Sequence, residues 1–294
     1  MYYAMPSQTE KGIRQISYAI LCFLITGILG IVIVALLFPL LADFMAGTIG
    51  GGTIGAAIGI LAGGCALIIV ELIGLIFGLL GLISVHKGRA EFPPEHGKML
   101  DRATIALVVG IILPIIGSFY TTLAGVGLGG NIVPATTLGE AAITSGLGIV
   151  GSVLIGLFLM WLVESMNSPA GKQRALIALI LGVVSGVIAL VIDIVVFATM
   201  PAVVTQPQNF IGYLIAPAIV GGAVSVISVV LWYLVYREVL ARFKTGEVRP
   251  APPMPMYPPP YPGFAPPYVP AAPYYPPQPP APPPQPPANP PPQP

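Results

Sequence analysis

Charge is the scarcest property of this sequence. Of 294 residues only 8% are Asp, Glu, Lys or Arg, with 12 basic against 11 acidic, whereas soluble domains carry about 25%. That is too little to dress a water-facing surface, and it excludes a soluble enzyme. A formal net charge of +1 also excludes a chain drawn onto nucleic acid by its overall field. Cysteine is scarcer still. Cys22 and Cys65 both lie inside apolar runs, so neither a disulfide framework nor a paired-cysteine metal or redox motif can be built. No glycosylation sequon and no hydrolase, zincin, Walker or kinase element occurs in the chain. Gly125-Val126-Gly127-Leu128-Gly129-Gly130 matches the dinucleotide fingerprint in letters only, since it lacks the preceding strand and following helix that such chemistry needs. An enzyme is not expected, and neither a cofactor nor a metal site is expected.

What the sequence holds in abundance is hydrocarbon: 55% hydrophobic residues and a mean hydropathy of +0.90. A bilayer core about 30 Å thick takes about 20 mostly apolar residues in helix, because each backbone polar group must be satisfied within the segment. Six stretches qualify, at 15–41, 55–85, 103–123, 144–163, 175–200 and 211–236. They predict an all-α fold, a polytopic membrane protein of six transmembrane helices. The second stretch is overlong, reaching roughly 46 Å as one helix. It either tilts, projects beyond the bilayer, or begins with a re-entrant glycine-rich piece.

Lys and Arg in short loops are retained on the cytoplasmic side during insertion. Lys11 and Arg14 precede the first span; Lys87, Arg89, Lys98 and Arg102 separate the second from the third. Lys172 and Arg174 separate the fourth from the fifth, and Arg237, Arg242, Lys244 and Arg249 follow the sixth. The opposite loops contain only Asp43 and Glu140. Both termini are therefore expected in the cytoplasm, in a multi-pass protein of the cell membrane. The domain plan is a short N-terminus (1–14), the bundle (15–236), a basic juxtamembrane segment (237–249) that meets anionic headgroups, and a C-terminal tail (250–294). The first apolar run is about twice an ordinary signal-peptide core, so it reads as a retained anchor.

Glu71 and Asp193 are the ionisable residues well inside spans. They lie roughly 24 and 28 Å along the helix from Lys87 and Arg174 at the cytoplasmic edge. One carboxylate costs about 3 kcal/mol at a helix centre, while the aliphatic residues of the fifth span return roughly 5 to 10 kcal/mol, so insertion survives. No Lys, Arg or His shares their depth. Each must be protonated, hydrated or bound to a cation, which is proton-site or cation-site chemistry. The plainer reading is a carboxyl hydrogen-bonded to a carbonyl or to a serine such as Ser185. Gly51, Gly55, Gly59 and Gly63, then Gly74 and Gly78, recur every four residues and make a small-residue face for close helix packing, within the chain or in a homo-oligomer. Pro39, Pro114 and Pro217 each free a carbonyl inside a span. His86 and His96, with Glu91 and Glu95, read as a solvated connector. Two internal likenesses compete. Residues 102–110 resemble 174–182, which suits repeated two-span hairpins, and 27–45 resemble 148–166, which suits inverted three-span halves.

In the tail 25 of 45 residues are proline, five are tyrosine and none is charged. Such a segment cannot fold and populates extended polyproline II. Pro258-Pro259-Pro260-Tyr261 has the form that aromatic-grooved WW-type domains read. The expected partners are thus the lipid bilayer, a cytoplasmic polyproline-binding protein and a second copy of the chain, with no nucleic acid. The expected function is an integral membrane scaffold or adaptor whose tail engages partners; the alternative is a small proton- or cation-coupled transporter or channel using Glu71 and Asp193.

Overall fold

The computed structural model describes residues 7–45, 51–127, 138–203 and 207–248. Among them stand six α-helices and no strand: α1 (Gln8–Met45), α2 (Gly51–Lys87), α3 (Pro94–Gly127), α4 (Leu138–Val163), α5 (Pro169–Val203) and α6 (Pro207–Thr245). A 3-10 turn, Arg89–Glu91, links α2 to α3. Every helix contains a segment long and apolar enough to cross a bilayer.

Local chemistry sets the ends. Ser7 Oγ accepts from the Glu10 N–H at 2.9 Å and Ser168 Oγ from the Gly171 N–H at 2.9 Å, capping α1 and α5. Helices α3, α5 and α6 open on proline, whose missing N–H costs nothing in a first turn. Helix α6 stops at Gly246, at a φ of 74°, with the Glu247 and Val248 N–H groups returning to the Arg242 carbonyl at 3.0 and 3.3 Å.

The helices outrun the predicted spans. The second stretch is one unbroken helix of 37 residues, about 55 Å long, so it has no re-entrant piece among the described residues. Helices α1, α3, α5 and α6 run to 34–39 residues, well beyond a hydrocarbon core of about 30 Å. Hydropathy marks the crossing, and polar turns continue the helix past it.

Consecutive helices pack as three hairpins, α1 with α2, α3 with α4, and α5 with α6; α6 then packs on α1, and α5 on α4. The lateral order is α2, α1, α6, α5, α4, α3, with the sequence neighbours α2 and α3 on the two flanks. Every described Lys and Arg gathers at one end of this row, the charged end. The close-packed core sits there too: Ile13, Ile16, Val85, Leu100, Leu162, Met166, Val235, Tyr236 and Val239 are buried together. Elsewhere the aliphatic side chains face outward, with Leu61 70%, Ile68 65% and Ile105 65% exposed. That is the inverse of a soluble bundle, and it is what a hydrocarbon solvent permits.

Candidate functional site

Glu71 is exposed on α2, and no hydrogen bond or ion pair reaches it from the described residues. Cys22 meets Gly74 and Ile33 meets Gly63 across the α1–α2 seam. This antiparallel register sets Thr26, whose buried Oγ1 has no partner among the described residues, level with the turn that carries Glu71. Asp193 is exposed on α5 and accepts a hydrogen bond from the Ser145 hydroxyl of α4. The serine partner is thus Ser145 and not Ser185, which donates to the Gly221 carbonyl of α6 at 3.0 Å. Ser185 sits about two turns from Asp193 on α5 and is engaged by α6 instead. Two helices of the row separate Glu71 from Asp193, so the two carboxyls do not converge on one site.

The glycine face divides. A Cβ at Gly63 would come within 3.1 Å of Ile33, at Gly74 within 3.0 Å of Cys22 and at Gly78 within 3.8 Å of Ala19, all on α1, whereas Gly55 and Gly59 meet nothing within 4 Å among the described residues. Gly51 opens the helix. Closer seams lie elsewhere. At Gly81 a Cβ would fall 2.5 Å from Ile16 Cγ1 and 2.8 Å from the Gly12 carbonyl. At Gly151 of α4 it would fall 2.7 Å from the Gly110 carbonyl and 2.7 Å from Pro114 Cγ. Gly110 is the residue four before Pro114, whose carbonyl proline leaves without its helical donor, and α4 brings a glycine backbone against that carbonyl.

The connector between α2 and α3 is docked, which corrects the expectation of a solvated loop. Glu91 turns back onto the start of α1, accepting from the Gln8 N–H at 2.8 Å and the Thr9 N–H at 3.2 Å. His96 is 1% exposed, with its Nδ1 2.9 Å from Ser165 Oγ and its ring against Phe92, while its Nε2 is buried without a partner. Packing won because Phe92 and Leu100 flank the polar residues with apolar mass. His86 stays exposed, and no cluster of three metal-ligating side chains exists among the described residues.

The end of α6 collects further polar contacts. Glu238 accepts from Arg174 at 2.6 Å and from the Ser168 hydroxyl of α5. Arg242 donates to the Met166 carbonyl after α4 at 2.5 Å and to Glu247 at 3.0 Å. Phe243 meets Phe92 edge-on at 6.1 Å. None of these residues stood out in the sequence, where they are ordinary interfacial charges; only the antiparallel hairpins join them. Pro258, Pro259 and Tyr261 lie outside the described residues. No family model, curated protein or solved structure matches the chain.

Proposed function

We propose that the protein is a non-enzymatic integral membrane scaffold or adaptor of the cell membrane, with its charged end in the cytoplasm and its proline-rich tail engaging partners there. One observation carries this reading: the helix end from which the tail departs is tied to three neighbouring segments. The last turns of α6 are bound to α5 through Glu238, to the end of α4 through Arg242, and to the α2–α3 link through Phe243. A tether needs a rigid base, because load on a flexible chain is transmitted only to what holds its end. The basic residues at this end favour the cytoplasmic side, and the uncharged proline-tyrosine composition favours an extended bait for aromatic-grooved domains. The test is direct binding of purified WW-type domains to the full chain in lipid nanodiscs. Removal of residues 250–294 abolishes binding, and Tyr261→Ala weakens it about tenfold or more; equal binding by the truncated chain overturns the proposal.

A second reading draws on Asp193 and its Ser145 partner, together with the unpartnered Glu71. In a small proton or cation transporter these carboxyls carry the ion. Proteoliposome flux that disappears in Glu71→Gln or Asp193→Asn favours this reading, and absence of flux under every imposed gradient removes it.

A further inference from the structure

A cleft of about 320 Å³ lies at the charged end between α1 and α6, lined by Arg14, Ser17, Tyr18, Tyr233, Arg237 and Lys244 with Leu240 and Ala241. Its walls follow from helical period. Arg14, Ser17 and Tyr18 are spaced i, i+3, i+4 on α1, and Tyr233, Arg237, Leu240, Ala241 and Lys244 are spaced i, i+4, i+7, i+8, i+11 on α6, so each set forms one face. Three cations from the two ends of the chain thus converge on one space. Their charge is only partly compensated. Glu10 pairs with Arg14 at 2.6 Å, and Arg237 meets a hydroxyl and an aromatic face, donating to Tyr233 Oη at 3.1 Å. Among the described residues no carboxylate pairs with Arg237 or Lys244. The two acids at the end of α6 are turned away, Glu238 to Arg174 and Glu247 to Arg242.

We infer that this cleft binds the phosphate headgroup of an anionic phospholipid. Guanidinium and ammonium donors on the rim match phosphate oxygens, and the tyrosines supply further hydroxyl donors at headgroup level. What selects a lipid over a free phosphate is the surface below. Ile25 and Leu29, two and three turns beyond Tyr18 on the same face of α1, are exposed at 42% and 38%, so an acyl chain has a path along the helix. Because one wall comes from each terminal helix, the bound lipid clamps α1 to α6 beside the root of the tail.

The test uses the full chain in neutral detergent, titrated with phosphatidylglycerol or phosphatidylcholine of identical acyl chains and read by native mass spectrometry. Wild type retains phosphatidylglycerol about tenfold more tightly than phosphatidylcholine. Lys244→Gln and Arg237→Gln each reduce that preference about fivefold, and Lys172→Gln, at the same end but outside the cleft, leaves it unchanged. Lys244 is exposed on α6, so its variant keeps the fold, which elution volume checks. Equal retention of both lipids, or an equal loss in Lys172→Gln, overturns the assignment. Displacement of the lipid by millimolar inorganic phosphate or glycerol phosphate assigns the cleft to a soluble phosphate and overturns the lipid as its occupant.

Discussion

One methyl group tests the seams. At Gly81 and Gly151 an added Cβ meets backbone carbonyls at 2.8 and 2.7 Å, and a backbone cannot rotate aside as a side-chain tip can. Gly81→Ala and Gly151→Ala are each expected to lower stability by about 1–3 kcal/mol, read as a fall in the thermal midpoint in detergent. Gly55→Ala and Gly59→Ala meet no neighbour among the described residues and remove helical glycine, which is unfavourable by roughly 0.5–1 kcal/mol relative to alanine. They are expected to leave the midpoint level or raise it; a fall would mean that a second chain covers this face. The recurrence of glycine was plain in the sequence. Which glycines carry close contacts was not, because that depends on register against a helix the periodicity does not name.

At the scale of an element, two helix ends are held by groups remote in sequence. Glu91 caps α1 from 82 or 83 residues away. Glu91→Ala is expected to remove about 1 kcal/mol from that end, seen as faster amide exchange over 8–12 with α2 unaffected. Arg242 holds the last turn of α6 to the end of α4 by a charge-assisted bond, worth about 1.5–3 kcal/mol. Arg242→Ala should therefore raise local opening over 238–245 by about ten- to a hundredfold in hydrogen exchange, while the far turns of α6 keep their protection. The same holds in kind for Pro114. That the Gly110 carbonyl would lose its helical donor to Pro114 could be foretold from the sequence, but not that Gly151 would be set against it.

At the scale of the molecule, the row α2, α1, α6, α5, α4, α3 is built of three sequential hairpins. Gly110 faces Gly151 within one hairpin, and a Cβ at Gly182 would come 3.5 Å from Ser228 Oγ within the next. The likeness of 102–110 to 174–182 thus coincides with equivalent places in two hairpins. Orientation is testable in a variant with Cys22 and Cys65 replaced by alanine. Single cysteines at 172 and 290 are expected to react with an impermeant maleimide from one side of the membrane and one at 140 from the other; labelling of 172 and 290 from opposite sides would overturn the assigned topology. The number of helices, their apolar faces and the gathering of positive charge at one end were determined by the sequence alone, because hydrocarbon leaves the backbone no alternative to helix and composition by itself sets which turns stay wet. Tertiary structure alone decided which helices are neighbours, that Glu71 and Asp193 stand on helices that do not adjoin, and that Arg14 lines one cleft with Arg237 and Lys244. Those facts depend on register and lateral order, and lipid-facing surfaces of Leu, Ile and Val carry no pattern that distinguishes one aliphatic neighbour from another.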